Sequence, residues 1–132
     1  MIGLDSNVLV RYIAQDDAVQ SRIATGFIER LSERDPGFIS VVAMTETAWV
    51  LERAYRLSAA EVAKAIERTL QADALVVESE QEAFAAMIAL KEARGSFADA
   101  LIGALGAKAG CSATVTFDRG ALLLPGFELL SS

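Results

Sequence analysis

Four acidic residues with apolar sequence neighbours are the strongest candidates for chemistry in this chain of 132 residues. They are Asp5, Glu46, Asp99 and Asp118. Burying an ionised carboxylate is unfavourable unless a cation or hydrogen bonds compensate the charge, so four such residues suggest a shared cation. Oxygen ligands without thiolate or imidazole select Mg²⁺ or Mn²⁺ over Zn²⁺. A cation held by carboxylates typically acts on phosphate esters, which predicts a nuclease or a phosphatase.

The composition excludes several other kinds of catalytic site. The chain has no histidine and a single cysteine, Cys111. Ser-His-Asp triads, Cys-His dyads, histidine-based ribonuclease chemistry and zinc sites built on thiolate or imidazole are therefore excluded. Lysine and arginine total 12 and aspartate and glutamate total 18, giving a formal net charge of −6. That charge argues against nonspecific affinity for a polyanion, although a local cleft with arginines remains compatible with it.

Four further polar side chains lie close in sequence to the acidic residues. Asn7 and Thr116 are candidates to orient water or ligands, and Asn7 could instead be the N-cap of the first helix. Arg11 and Arg119 are candidate phosphate contacts, because a guanidinium can donate two parallel hydrogen bonds to a phosphate. A solvated surface position is the alternative for both arginines.

Each acidic residue also has a purely structural interpretation. Asp99 could close a capping box with Ser96, and Glu46 could pair with Arg53 two turns further along its helix. An aspartate such as Asp118, at the end of a strand, is common in turns. The four residues together, one at each junction between a strand and a helix, favour the catalytic interpretation.

The sequence pattern predicts strands alternating with helices. Strands are predicted at 1–5, 38–41, 74–77, 113–117 and 127–130, and helices at 7–14, 18–33, 42–56, 59–72, 80–95 and 97–109. Ser58 and Glu61 form a capping-box pattern at the start of the fourth helix. The third helix is apolar around most of its circumference, so Trp49 and Tyr55 are expected in the core rather than as platforms for base stacking.

This alternation predicts an α/β fold in a single domain over residues 1–132, with right-handed crossovers and a mostly parallel sheet of four to five strands. We expect three layers, α/β/α, because helices would cover both faces of the sheet. Ligands of such sheets bind beyond the carboxyl ends of the strands. Asp5 ends the first predicted strand and Asp118 directly follows the fourth, which would bring them to one edge.

Several segments resemble the PIN-domain ribonucleases and, among them, the VapC toxins of bacterial type II toxin–antitoxin pairs. They are Gly3–Tyr12, Thr45–Leu51, Phe97–Ile102, Thr116–Arg119 and the closing Leu124–Leu130. In this order and spacing they cover essentially the whole chain. The acidic positions of the family fall on Asp5, Glu46, Asp99 and Asp118, and its supporting polar positions fall on Asn7 and Thr116.

The resemblance implies a PIN-like fold and a Mg²⁺- or Mn²⁺-dependent RNA endonuclease, homodimeric and inhibited by a cognate antitoxin that also binds DNA. Ser6 stands where threonine is usual in the family, which keeps the hydroxyl. Ser96 stands where many relatives have an additional acidic residue, which leaves four carboxylates instead of five.

An acidic cluster is also a target for a basic peptide, so we expect the antitoxin to have a basic tail that pairs with the carboxylates. An amphipathic helix of the same partner is expected in an apolar groove between the first two helices. Val8, Tyr12, Ile23 and Phe27 are the predicted anchors of that groove. The first residues have neither a basic start nor a long apolar run, so a soluble cytoplasmic protein without a membrane segment is expected.

Two other functions remain open on the sequence. The first is a haloacid dehalogenase-like phosphatase, because Leu4–Val8 is similar to its Asp-x-Asp motif, with Asn7 in place of the second aspartate. The second is a binding module on a PIN scaffold without catalytic activity, against which the four carboxylates argue. A response-regulator receiver domain does not fit. Such a domain has a lysine after its last strand, and the loop that follows Thr116–Asp118 contains none.

Overall fold

Helices alternate with short parallel strands throughout residues 1–131, which are the residues that this computed structural model describes. The chain divides into two compact units, of which the first is Met1–Glu80 and the second begins at Gln81. Each unit has its own sheet. The expectation of one domain over 1–132 stays a prediction.

The first unit contains a parallel sheet of three strands. Its strands are β1 (Ile2–Gly3), β2 (Gly37–Ile39) and β3 (Leu75–Val77), in the order β1-β2-β3. Its helices are α1 (Ser6–Ala14), α2 (Ala18–Glu29), α3 (Val41–Arg53) and α4 (Ala59–Gln71). Two helices separate each pair of neighbouring strands in the chain, which supplies the crossovers that parallel pairing requires.

Polar side chains at the helix starts explain where these helices begin. Asp17 accepts hydrogen bonds from the amides of Val19 and Gln20, at 3.0 and 2.8 Å, and caps α2. The capping box of Ser58 and Glu61 at the start of α4 is confirmed, with both reciprocal bonds formed. These bonds satisfy amides that have no partner inside the helix.

The predicted second helix is too long, because α2 ends at Glu29 instead of residue 33. Ser32 and Asp35 exchange two backbone hydrogen bonds of 3.2 Å, forming a tight turn that directs the chain into β2. Gly37 then begins β2 in a crowded position, where a Cβ atom would lie 2.9 Å from Leu31 Cδ1 and 3.1 Å from Leu4 Cδ1. Only glycine fits there without a shift of the neighbouring leucines.

The second unit contains two helices and a pair of parallel strands. They are α5 (Glu80–Lys91), which starts on the last residue of the first unit, α6 (Phe97–Lys108), β4 (Thr114–Thr116) and β5 (Phe127–Leu129). A 3₁₀ helix, Arg119–Leu123, connects the two strands. Gly103 of α6 allows close packing on β5, since a Cβ atom there would meet Phe127 Cε2 at 2.5 Å.

The α/β class and the parallel pairing of the strands are confirmed, but the size of the sheet is wrong. The strands form one sheet of three and one of two, instead of a single sheet of four to five. The strands are only two or three residues long, and the ladder of β4 is made with β5, where the amide of Thr114 donates to the carbonyl of Gly126 at 2.8 Å.

Candidate active site

Asp5 lies just beyond β1 and caps the first helix. Its Oδ1 atom accepts a hydrogen bond from the Ser6 amide at 2.7 Å and one from Ser6 Oγ at 3.3 Å. The helix therefore begins one residue earlier than predicted, and the alternative that Asn7 is its N-cap is wrong. Asn7 lies in the first turn of α1 with an exposed side chain, so its role in orienting water stays a prediction.

Ser6 connects Asp5 to Glu46. Its side chain is buried, with 5% of the residue exposed, and its hydroxyl donates to Glu46 Oε1 as well as lying near Asp5 Oδ1. A hydroxyl has one proton, so it donates fully to one of the two carboxylates at a time. The serine hydroxyl thereby holds together the side chains of Asp5, the N-cap of α1, and of Glu46 on α3. Sequence reasoning recognised its hydroxyl without assigning it this role.

The alternative interpretation of Glu46 is wrong. Within residues 1–131 no ion pair joins Glu46 to Arg53, and the only hydrogen-bond partner of the Glu46 carboxylate is Ser6. Glu46 is an exposed residue of α3, and its second carboxylate oxygen has no hydrogen-bond partner in residues 1–131. The first unit therefore presents two carboxylates, joined by a hydroxyl and not neutralised by lysine or arginine.

Asp99 forms half of the predicted capping box. Its amide donates to Ser96 Oγ at 3.0 Å, so Ser96 is the N-cap of α6. The reciprocal bond from the Ser96 amide to the Asp99 carboxylate does not form in the described part of the chain. The Asp99 carboxylate is half-buried and makes no ion pair there. The cap therefore needs the backbone of Asp99 and leaves its side chain available for chemistry.

Asp118 has the turn geometry that its sequence position suggested. Its Oδ1 atom accepts from the Gly120 amide at 2.8 Å, which caps the 3₁₀ helix, and its own amide donates to Thr116 Oγ1 at 3.0 Å. Thr116 thus fixes the backbone on which Asp118 is presented. Arg119 is exposed at the first position of the 3₁₀ helix, and its contact with phosphate stays a prediction.

Apolar sequence neighbours do not bury these carboxylates. Asp5, Glu46 and Asp118 are exposed and Asp99 is half-buried. Asp5 and Asp118 lie just beyond the end of a strand, and Glu46 lies on the side of α3 opposite its buried residues. Compensation of buried charge is therefore not the reason to expect a cation.

No group of three or more acidic or thiol side chains in residues 1–131 is arranged to hold a metal ion. The donor chemistry in the first unit nevertheless fits a hard divalent cation. Asp5 and Glu46 offer solvent-facing carboxylate oxygens, and no guanidinium or ammonium group in the described chain pairs with either. These two oxygen donors match Mg²⁺ or Mn²⁺ better than a softer metal.

Arg11 is engaged in a network within the first unit. Its Nη1 donates to Tyr55 Oη at 2.8 Å and to Asp16 Oδ1 at 3.2 Å, and its Nε donates to Gln20 Oε1 at 2.8 Å. Tyr55 Oη donates to Asp16 Oδ2 at 2.8 Å. A phosphate would have to displace these partners, which weakens the predicted phosphate role of Arg11. Tyr55 is half-buried, so its expected place in the core is only partly correct.

The hydrogen bond between Tyr55 and Asp16 changes the acidity of both groups. It lowers the pKa of Asp16, which gains a donor for its ionised form, and it raises the pKa of the Tyr55 hydroxyl, whose proton it holds. The Asp16 contribution to stability is present above about pH 4 and is lost in more acidic solution. The Tyr55 contribution is present below about pH 10 and is lost in more alkaline solution.

A Tyr55→Phe variant is therefore expected to melt about 3 °C below the wild-type chain at neutral pH, because it loses both hydrogen bonds of the hydroxyl. The difference should narrow below about pH 4 and above about pH 10. Thermal melts across this range measure it. Tyr12→Phe is the matched control, since the Tyr12 hydroxyl makes no hydrogen bond in residues 1–131. A difference that stays constant with pH would contradict the assignment.

A groove of about 450 Å³ lies between α1 and α2 of the first unit. Three of the four predicted anchors, Val8, Ile23 and Phe27, line it, together with the polar side chains of Asn7 and Arg11. Tyr12 does not, because it lies about 100° further around α1 than Arg11. It lines a separate cavity of about 600 Å³.

Comparison with known proteins decides the family. The PIN domain model matches residues 2–124, which is nearly the whole chain. The chain belongs to the PIN domain family. PIN domains are generally metal-dependent nucleases. The match therefore argues against the haloacid dehalogenase-like phosphatase, which the sequence had left open. A search of curated proteins found no significant match. In residues 1–131 no helix of this PIN domain has the length and apolarity to cross a membrane.

Proposed function

We propose that this PIN domain is a Mg²⁺- or Mn²⁺-dependent endoribonuclease and acts as the toxin of a toxin–antitoxin pair in the cytoplasm. The observation that carries the proposal is the pair of solvent-facing carboxylates, Asp5 and Glu46, held together by the buried Ser6 hydroxyl beside the first strand. Family membership adds the nuclease chemistry. The resemblance of the motifs to VapC toxins adds RNA as the substrate.

The proposed reaction is hydrolysis of an RNA phosphodiester. Water adds to phosphorus as the bond from phosphorus to the 3′ oxygen breaks, leaving a 5′-phosphate and a 3′-hydroxyl that takes up the proton. A bound divalent cation supplies Lewis acidity and a nucleophile at neutral pH. Asp5, Glu46, Asp99 and Asp118 are the proposed ligands, while Thr116 and Asn7 orient groups around them. Ser6 fixes the orientation of Asp5 and Glu46.

Incubation of the purified chain with total RNA tests this function. We expect discrete cleavage products in Mg²⁺ or Mn²⁺ and no cleavage in excess EDTA, because the chain has no histidine that could act as general acid or base in place of the cation. End-labelling should find 5′-phosphate and 3′-hydroxyl ends. Cyclic 2′,3′-phosphate ends, or undiminished cleavage in EDTA, would overturn the mechanism. No cleavage at all would favour a binding module on the PIN scaffold.

The proposed partner is a cognate antitoxin that has a basic tail and an amphipathic helix. The chain's charge of −6 and its unpaired carboxylates favour a basic peptide, and the groove lined by Val8, Ile23 and Phe27 fits the apolar face of a helix. Arginine side chains of such a tail would pair with Asp5 and Glu46 and compete with the cation.

Copurification with the product of the adjacent gene measures this interaction. The complex is expected to be silent in the RNA assay, and Arg→Ala changes in the partner's tail should restore cleavage without dissociating the helix from its groove. An Ile23→Asp variant, at an exposed groove position, should instead lose the complex. If the partner still inhibits after every basic tail residue is removed, inhibition does not act through the acidic site.

We also propose that the chain forms a homodimer. The second unit exposes large apolar side chains, with Phe117 at 81% and Leu123 at 68%, and a second copy would remove them from water. Sedimentation equilibrium tests this, since a dimer has twice the 14.0 kDa mass of the chain.

A further inference from the structure

One face of α3 presents an exposed tryptophan beside Glu46. Val42, Glu46, Trp49 and Arg53 lie within about 60° of one another around the helix axis, at about 100° per residue. None of the four is buried, and Trp49 has 56% of its surface accessible. The opposite face, formed by Met44, Thr47, Ala48 and Leu51, is buried. The expectation that Trp49 belongs to the core is therefore wrong, because the buried stripe of α3 runs along its other side.

The guanidinium group of Arg53 lies over the ring of Trp49. The Arg53 guanidinium carbon lies 5.8 Å from the ring centroid, one turn further along the helix, which is a cation–π distance. Arg53 forms no ion pair with an acidic residue of the described chain. The face thus offers a large aromatic surface and an unneutralised guanidinium, about 4.5 and 10.5 Å along the axis from Glu46.

We propose that Trp49 and Arg53 form a subsite for single-stranded RNA next to Glu46, one of the two carboxylates that Ser6 joins. The indole ring stacks on a nucleobase and the guanidinium pairs with a backbone phosphate, which holds the strand across the Glu46 end of α3. This inference rests on the proposed RNA substrate and adds where the strand is held. Stacking on an aromatic side chain is tolerant of sequence and Arg supplies both stacking and charge, so the pair favours RNA as an occupant.

The charge on this face favours RNA over a second protein surface. Arg53 attracts the phosphates of RNA, and such a local cation offsets the repulsion between a polyanion and a chain of net charge −6. A protein partner that buried Trp49 would also have to supply an acidic group for Arg53, and would cover Glu46 on the same face.

Fluorescence of the chain tests the stacking directly, because Trp49 is its only tryptophan. The probes are 12-nucleotide oligoadenylate and oligouridylate, added in Mg²⁺ to an Asp99→Asn variant so that the strand stays intact. We expect saturable quenching of the emission, stronger with oligoadenylate, and protection from iodide. Emission and iodide access that stay unchanged while filter binding detects bound RNA would overturn the proposal.

Substitutions separate the two contacts. Trp49→Ala is expected to raise the Kd for oligoadenylate about tenfold or more, and Trp49→Phe should retain most of the affinity. Arg53→Ala should reduce the slope of log K against log salt by about 0.7, the value for one phosphate of a single strand. Phe84→Ala and Arg22→Ala, which change an exposed aromatic and an exposed arginine elsewhere, should match the wild-type chain.

Cleavage assays on the same variants distinguish this inference from the proposed function. Trp49→Ala should raise KM with little change in kcat, because stacking away from the reacting phosphate binds ground state and transition state equally. If the wild-type chain cleaves RNA and Trp49→Ala has the same KM and Kd, the subsite is wrong and the function stands. If oligonucleotides quench Trp49 without any cleavage, the subsite stands and the function is wrong.

A protein contact at Trp49 is the remaining outcome that would overturn the proposal. In that case the emission would change on dilution of the protein without RNA, and Trp49→Ala would convert the dimer to a monomer. Absence of both RNA binding and cleavage would overturn the subsite and the function together.

Discussion

Asp5→Asn and Asp99→Asn variants are expected to cleave RNA at least about 100-fold more slowly than the wild-type chain, because each removes one charged oxygen from the proposed ligands of a cation that would stabilise several kcal/mol of transition-state charge. Glu46→Gln and Asp118→Asn should also lose most of the activity. The measurement is the single-turnover cleavage rate in saturating Mg²⁺, with Mn²⁺ as a second metal.

These variants should fold normally, which separates a catalytic role from a structural one. Asparagine caps a helix about as well as aspartate, so α1 keeps its cap in Asp5→Asn. The cap of α6 uses the Asp99 amide and Ser96 Oγ, neither of which the Asp99→Asn change removes. Melting temperatures within about 3 °C of wild type are expected, since loss of one charge in a first helical turn costs less than about 1 kcal/mol.

Asp73→Asn is the control for the charge change itself. Asp73 lies in the first unit and makes no ion pair in residues 1–131, so its variant should keep full activity. A large drop in melting temperature for Asp99→Asn would support the purely structural interpretation of that residue. Activity in Asp99→Asn equal to that in Asp73→Asn would remove Asp99 from the proposed ligand set.

Local signals in the sequence predicted the elements well, because helix caps act over three or four residues. Ser58 with Glu61 is such a signal, and the structure has this capping box at the start of α4. The helix end at Glu29 was not predicted, because residues 30–36 are directed by a turn and by the crowding at Gly37. That crowding involves residues far apart in the chain.

The sheets show the same limit. Alternation of strands and helices predicts parallel pairing, and both sheets are parallel. Which strands pair is a property of contacts between distant segments, and β4 pairs with β5 in a sheet of its own. Short strands of two or three residues contain too few side chains to indicate a neighbour.

Exposure was the least predictable property of the candidate site. Apolar neighbours suggested buried carboxylates and a buried tryptophan, whereas Glu46 and Trp49 both face solvent. A helix that is apolar around most of its circumference does not reveal from composition which side meets the core. In α3 the buried stripe follows Met44, Thr47 and Leu51, and the positions of Glu46 and Trp49 follow from it.

Ser6→Ala is expected to lower the cleavage rate about 10- to 100-fold, the range measured when a group that orients a metal ligand is removed. The Ser6 hydroxyl donates to Glu46 Oε1 and lies 3.3 Å from Asp5 Oδ1, so alanine frees the Glu46 carboxylate to rotate and leaves Asp5 held only by the Ser6 amide. Ser6→Thr keeps the hydroxyl, and it should restore most of the activity if the additional methyl group is accommodated at this buried position.

A structural role alone would not reproduce the rest of the pattern. Manganese binding, followed by the paramagnetic resonance of free Mn²⁺, should weaken in Ser6→Ala and recover in Ser6→Thr, while Ser21→Ala, at another buried serine of the first unit, leaves it unchanged. The melting temperature of Ser6→Ala should stay within a few degrees of wild type, because Glu46 is exposed and water replaces its lost donor. If Ser6→Ala binds Mn²⁺ and cleaves RNA as the wild-type chain does, the two carboxylates do not depend on this hydroxyl for their orientation, and the geometry that supports the proposed function is not the geometry of the active state.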